Sequence, residues 1–141
     1  MEKEISTTYV IDACAFIAYL RKEEGSDKFS TLLKDQDNRF FMHSINLGEV
    51  YYDSLRVLEK KAIDELFDDI AKLPIHIIWT LDIPFIKLVG KYKTSYKISY
   101  ADSFVLALAE REKATVISTD HEFDDIEKEG KISFYWLREK I

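Results

Sequence analysis

The chain is poor in the residues that mark several protein classes. It has one cysteine, Cys14, so an internal disulfide is excluded and a reducing compartment is expected. No His-x-His, His-Glu-x-x-His or paired-cysteine spacing occurs, which argues against a zinc site. Gly-x-Gly-x-x-Gly and P-loop patterns are also missing, so dinucleotide or nucleotide-triphosphate binding has no support. Four glycines and two prolines leave little material for linkers, and no repeat or low-complexity tract is present. The longest apolar stretch, 10–20, is broken by Asp12 and is too short to cross a bilayer. Residues 1–6 carry no signal-peptide pattern. A cytoplasmic protein without membrane association is the expectation. Cationic excess is lacking too: the formal net charge is −6, which argues against nucleic-acid binding by bulk electrostatics. A nuclease whose acidic centre is offset by a local basic rim remains compatible with that total.

What is present points to a globular domain. With 47% hydrophobic and 33% charged residues the chain is not of disordered composition, and 141 residues suit a single domain, 1–141, with one sizeable core. Short β-rich apolar runs alternate with helical periodicity. Strands are predicted at 8–11, 39–42, 75–79, 115–118 and 132–135. Helices are predicted at 13–21, 26–34, 46–58, 61–73, from Pro84 to 92, and at 99–112. Strands separated by helical crossovers predict an α/β fold: a three-layer α/β/α sandwich with a central, mainly parallel sheet.

Four acidic residues sit where apolar segments end or begin. Asp12 closes Tyr-Val-Ile-Asp, and Asp120 closes Val-Ile-Ser-Thr-Asp. Glu49 and Asp102 lie at the starts of predicted helices. A carboxylate directly after a buried strand gains nothing from packing and risks desolvation. Helix capping is the alternative reading for each: Ser99 precedes Asp102 by three residues, Asn46 precedes Glu49 by three, and Asp12 and Asp120 could cap the segments after them. Capping does not require an acid at all four places. In a parallel sheet the carboxyl ends of the strands are where ligands bind. Four carboxylates meeting there would repel one another unless a divalent cation with oxygen ligands, Mg²⁺ or Mn²⁺, joined them.

The segments Val-Ile-Asp-Ala-Cys-Ala-Phe-Ile-Ala-Tyr-Leu (10–20), Ile-Asn-Leu-Gly-Glu-Val-Tyr-Tyr (45–52), Ser-Tyr-Ala-Asp-Ser-Phe-Val-Leu-Ala-Leu-Ala (99–109) and Val-Ile-Ser-Thr-Asp-His-Glu-Phe (116–123) resemble the four motifs of PIN-domain ribonucleases. The likeness is strongest to the VapC-type toxins of toxin–antitoxin modules, and it runs from about Tyr9 to Tyr135. It implies a metal-dependent endoribonuclease whose catalytic and metal-binding residues are Asp12, Glu49, Asp102 and Asp120, with Mg²⁺ or Mn²⁺ as cofactor. It also implies an RNA substrate and a tight-binding antitoxin, and a homodimer is the expected assembly. The family often has Ser or Thr two residues after its first Asp, where this chain has Cys14. The threonine of its last motif is Ser118 here, which keeps a hydroxyl. A housekeeping RNA-processing nuclease and a non-catalytic protein that holds a basic peptide in the acidic pocket are the alternatives.

Further candidates come from the residues themselves. Asp124 could reach the acidic centre or be a solvated acid at a helix start. His121 beside Asp120, and His43 and His76 in strand contexts, are expected to be respectively exposed and structural. Lys91, Lys93 and Lys97, interleaved with Tyr92 and Tyr96, suit a single-stranded RNA path, or else are an ordinary solvated helix end. Arg21, Lys22 and Arg56 are further basic candidates on other rims. Tyr51, Tyr52 and Phe29 belong either to an apolar contact with the antitoxin or to the core.

Overall fold

The computed structural model describes residues 7–140. The segment 1–6, with its missing signal pattern, lies outside that range. Strand β1 (Thr8–Ile11) leads to helices α1 (Ala13–Leu20) and α2 (Ser26–Lys34). Strand β2 (Arg39–His43) runs into α3 (Ser44–Leu55), and α4 (Lys60–Ile70) precedes β3 (Ile75–Ile78). Helices α5 (Ile83–Ser95) and α6 (Tyr100–Glu112) come next, then β4 (Thr115–Ser118). A 3₁₀ turn at His121–Phe123, the short helix α7 (Asp124–Lys128) and β5 (Phe134–Trp136) complete the order. The five strands pair in parallel in the order β3-β2-β1-β4-β5.

Alternation along each strand divides the core in two. Tyr9, Ile11, Phe40, Met42 and Ile117 pack with Phe16, Phe29, Leu47, Val50 and Ile70, from α1 to α4. Val10, Phe41 and Val116 point the opposite way, onto Phe85 and Val89 of α5, Phe104 to Ala109 of α6, and Ile126 of α7. Both sheet faces are therefore covered, which is why β1 and β4 read as continuous apolar runs rather than alternating ones. The expected three-layer α/β/α sandwich with a parallel sheet is the fold observed.

The elements differ from the sequence expectation in several places: α4 ends at Ile70 and not at 73, α5 runs on to Ser95, and β5 spans Phe134–Trp136 and not 132–135. Helix α3 begins at Ser44, not Asn46, and is capped by His43, whose Nδ1 accepts from Ile45 N at 3.1 Å. It ends at Leu55, three residues early. The 3₁₀ turn and α7 have no counterpart among the predicted elements, because so short a segment has no helical period to read.

Candidate active site

Because all five strands are parallel, their carboxyl ends share one edge, and the chain turns there into α1, α3 and the 3₁₀ turn. A cleft of about 250 Å³ opens at that edge, lined by Asp12, Ala13, Cys14, Ile17, Glu49, Tyr52, Asp53, Arg56, Asp102 and Asp120. The four acids singled out in the sequence thus meet in one place. Among the described residues, Asp102, Asp120 and Glu122 offer oxygens that all lie within 4.8 Å of one another.

Capping accounts for only some of these acids. Asp12 stands at the N-cap of α1 but makes no side-chain cap hydrogen bond. Its Oδ2 instead accepts from Ser118 Oγ at 2.8 Å and from Cys14 Sγ at 3.0 Å. Glu49 lies in the middle of α3, beyond any cap, and its Oε1 accepts from Asn46 Nδ2 at 3.1 Å. The same Asn46 amide donates to Ala101 O at 3.0 Å, tying α3 to the start of α6 next to Asp102. At α6 the capping oxygen is Ser99 Oγ, which accepts from Asp102 N at 3.0 Å. Asp120 is both a cleft acid and a cap, with Oδ1 accepting from Glu122 N at 2.9 Å. Ser118 Oγ accepts from Asp120 N at 2.9 Å, so one buried hydroxyl links Asp12 to Asp120.

Crowding marks the electrostatics. Burial pushes the Asp12 carboxyl up to about 7, against the pull of its Cys14 hydrogen bond and helped by the charge of Asp102. Burial likewise raises Asp102 to about 6, opposed by Ser99 and helped by the charges of Asp120 and Glu49. Glu49 is raised by burial too. The Cys14 thiol is driven to about 12 by burial and the Asp12 charge, so at neutral pH it is a hydrogen-bond donor and not a thiolate ligand. Converging oxygen donors whose ionised forms are penalised without a counter-charge fit a hard divalent cation such as Mg²⁺ or Mn²⁺.

The remaining candidates are placed elsewhere. Asp124 does not line the cleft; it pairs with His121 Nδ1 at 2.9 Å and Lys140 Nζ at 3.3 Å. His121, expected to be exposed, is half-buried, stacked on Trp136 and bonded through Nε2 to Arg138 O. None of Lys91, Lys93 and Lys97 lines the cleft. Lys91 is engaged with Glu110 at 2.7 Å, eight residues along α6 from Asp102, or about 12 Å of helix axis. Phe29 is fully buried in the core, whereas Tyr51 and Tyr52 are exposed. Glu122 is absent from the candidates read in the sequence, although its place two residues after Asp120 is a usable signal for an Asx turn that folds it back. Asp53 is likewise a cleft residue with no signal in its local pattern. Arg56, expected on another rim, lines the cleft itself.

Comparison with known proteins agrees with this fold. No curated protein sequence shows significant similarity to the chain. Among solved structures it is similar to VapBC2 from Rickettsia felis bound to a promoter DNA fragment, with TM-score 0.69 and 17% identity over 92% of this chain and 98% of that one. It is similar to a toxin–antitoxin complex from Klebsiella pneumoniae, with TM-score 0.69 and 17% identity over 94% and 99% of the two chains. A third is Mycobacterium tuberculosis VapC20, a toxin that cleaves the sarcin–ricin loop, with TM-score 0.67 and 10% identity over 84% and 94%. At such identities the likeness is one of fold. The PIN domain profile matches residues 9–129, a span that holds every acid of the cleft, and the chain belongs to the PIN domain family.

Proposed function

We propose that the protein is a metal-dependent endoribonuclease and the toxin of a toxin–antitoxin module. The observation that carries this reading is the single cleft that gathers Asp12, Glu49, Asp102 and Asp120 at the carboxyl edge of the sheet. Asp12, Asp102 and Asp120 would hold Mg²⁺ or Mn²⁺, with Glu122 at the rim. When bound, the cation supplies positive charge beside the scissile phosphate and lowers the pKa of the attacking water. Ser118 and Cys14 fix the Asp12 carboxylate through Oδ2. Asn46 fixes Glu49, whose carboxylate would orient the attacking water or join the cation, and burial makes that carboxyl a stronger base than a free one. In-line attack at phosphorus then breaks the bond to the 3′ oxygen and leaves a 5′-phosphate and a 3′-hydroxyl.

The experiment is cleavage of a panel of tRNA, rRNA fragments and mRNA with Mg²⁺ or Mn²⁺, with and without chelator. Asp102→Asn keeps size and the Ser99 cap, so the fold should persist while cleavage falls by on the order of a hundred-fold or more. Near-native cleavage by this variant would refute the site.

A growth-arresting nuclease in the cytoplasm needs an inhibitor, and two of the similar structures are described as VapBC2 and as a toxin–antitoxin complex. The reading therefore includes an antitoxin whose tail points an Arg at the four acids, its fork pairing with carboxylates in place of the metal. The tail's apolar face would lie in the neighbouring 440 Å³ groove lined by Ile17, Leu20, Val57, Leu58 and Leu66. A homodimer belongs to the same reading, and exposed Trp79, Ile83 and Tyr100 offer apolar area for it. Co-purification with the product of the adjacent gene, followed by cleavage assays on the complex, tests the setting. A complex that cleaves as fast as the free protein would rule out inhibition by pocket occupancy.

A further inference from the structure

Helix α3 carries more than Glu49 into the cleft. Glu49, Tyr52, Asp53 and Arg56 succeed one another at spacings of three, one and three, so they share one helical face, and all four line the acidic cleft. Asp53 is neutralised by Arg21, whose Nη2 lies 2.5 Å from its Oδ2. Arg56 makes no ion pair among the described residues, although five carboxylates line the same cleft. It is also the single cation in the lining. Its guanidinium stands over the Tyr52 ring instead, 5.6 Å from the centroid. Tyr52 is itself 50% exposed at the mouth of the cleft.

A cation at the C-terminal end of a helix is favoured by the helix dipole, and Arg56 is the C-cap of α3. The dipole does not account for a planar guanidinium parked on a half-exposed aromatic beside a catalytic acid. An RNA strand approaching the four acids that no side-chain cation pairs with among the described residues is repelled, and a bound cation offsets that only at the scissile phosphate. The flanking nucleotide needs its own positive charge and, if single-stranded, a surface for its unstacked base. Tyr and Arg planes are the two surfaces on which bases stack in single-strand recognition.

We propose that Tyr52 and Arg56 form a nucleotide subsite beside the acidic centre, with Tyr52 stacking an unpaired base and Arg56 taking the adjoining phosphate. The Arg21–Asp53 pair occupies the carboxylate nearest Arg56 in sequence on this face, and Glu49 is held by Asn46. The subsite rests on the nuclease reading above and deepens it, because it assigns the contacts of one unpaired nucleotide to two named side chains.

The test is binding of a fluorescently labelled single-stranded oligoribonucleotide of mixed sequence, and of the same strand annealed to its complement. It is read by anisotropy across a salt series in an Asp12→Asn background that does not turn over. Tyr52→Leu should weaken single-strand binding on the order of ten-fold, and Tyr52→Phe should restore it. Arg56→Gln should lower the log–log salt slope by about 0.7, and Arg56→Lys should keep the slope. In the cleavage-competent protein both losses should appear in KM and leave kcat nearly unchanged, as lost uniform binding does. Both side chains are exposed, so thermal unfolding should be unaltered. Unchanged binding in Tyr52→Leu and Arg56→Gln, with cleavage still abolished by Asp102→Asn, overturns the subsite and leaves the nuclease standing. Equal losses for duplex and single strand overturn the stacking role. Unchanged RNA affinity with weakened antitoxin binding assigns the pair to a protein interface and overturns the proposal. Absence of any RNA cleavage by the native protein with Mg²⁺ or Mn²⁺ overturns both readings together.

Discussion

Asp12 is only 3% exposed, yet its carboxylate pairs with no cation among the described residues. Two weak or neutral donors, the Cys14 thiol and the Ser118 hydroxyl, are its only side-chain hydrogen-bond partners there. The replacement of a family hydroxyl by Cys14 therefore keeps a donor in place, though a poorer one. Because that thiol is pushed up to about 12, native protein should react with an aromatic disulfide reagent on the order of a thousand-fold more slowly at neutral pH than the unfolded chain does. Rapid labelling of the native state would show that the thiol does not sit against Asp12. Asp120 shows why a residue taken singly is incompletely legible. In the sequence, capping and cleft membership are rival readings of it. In the fold it does both, since Oδ1 serves Glu122 N while the carboxylate lines the cleft.

Helix boundaries obey local chemistry only where local chemistry decides. Ser99 caps α6 as its hydroxyl allows, and Asp82 caps α5 by accepting from Phe85 N. At α3 the expected Asn46 cap loses to His43. Strand β2 runs into α3 without a loop, so the last strand residue is the one positioned to cap. His43 can do so because it is neutral: burial lowers its pKa, Nδ1 accepts from Ile45 N, and Nε2 faces Thr80 O. The freed Asn46 instead braces Glu49. Gly25 is the N-cap of α2, with φ +95°, and an added Cβ there would lie 2.5 Å from Leu137 O. Gly25→Ala should thus destabilise by roughly 1–3 kcal/mol, from left-handed strain together with the clash against the segment after β5. Thermal unfolding checks this. A neutral effect would mean that α2 and the C-terminal segment are not packed as described.

Over the whole molecule, the raised carboxyls tie stability to pH and, on the proposed reading, to a divalent cation. Asp12 and Asp102 have folded-state values of about 7 and about 6, above the unfolded carboxyl range. Their protonated forms therefore favour folding. That contribution is complete below about pH 4 and is lost as pH rises through about 6 and 7. Metal-free protein should lose stability progressively from about pH 4 to about pH 7, by on the order of a few kcal/mol at most, and Asp12→Asn should flatten the profile. Mg²⁺ or Mn²⁺ should raise the unfolding temperature at about pH 8 and do so much less at about pH 5, where protons compete for the same oxygens. Parallel pH profiles for native protein and variant, with no response to either metal, would remove the metal centre.

The sequence by itself determined the order of the five strands and of α1 to α6, the parallel three-layer architecture, and the places of Asp12, Glu49, Asp102 and Asp120 at the ends or starts of apolar segments. Those are properties of short stretches: apolar runs make buried strands, 3.6-residue stripes make helices, and an acid at a strand end is visible as such. Only the tertiary structure decided which charged side chains share the cleft. Glu122 comes within 4.8 Å of Asp102 because a 3₁₀ turn folds it back. Arg56 enters the cleft while Lys91 is spent on Glu110. Which face of a helix meets the cleft depends on how it packs against elements distant in sequence. Lys91, Lys93 and Lys97 carry the stronger local pattern of basic and aromatic residues, but α5 packs so that none of the three lines the cleft.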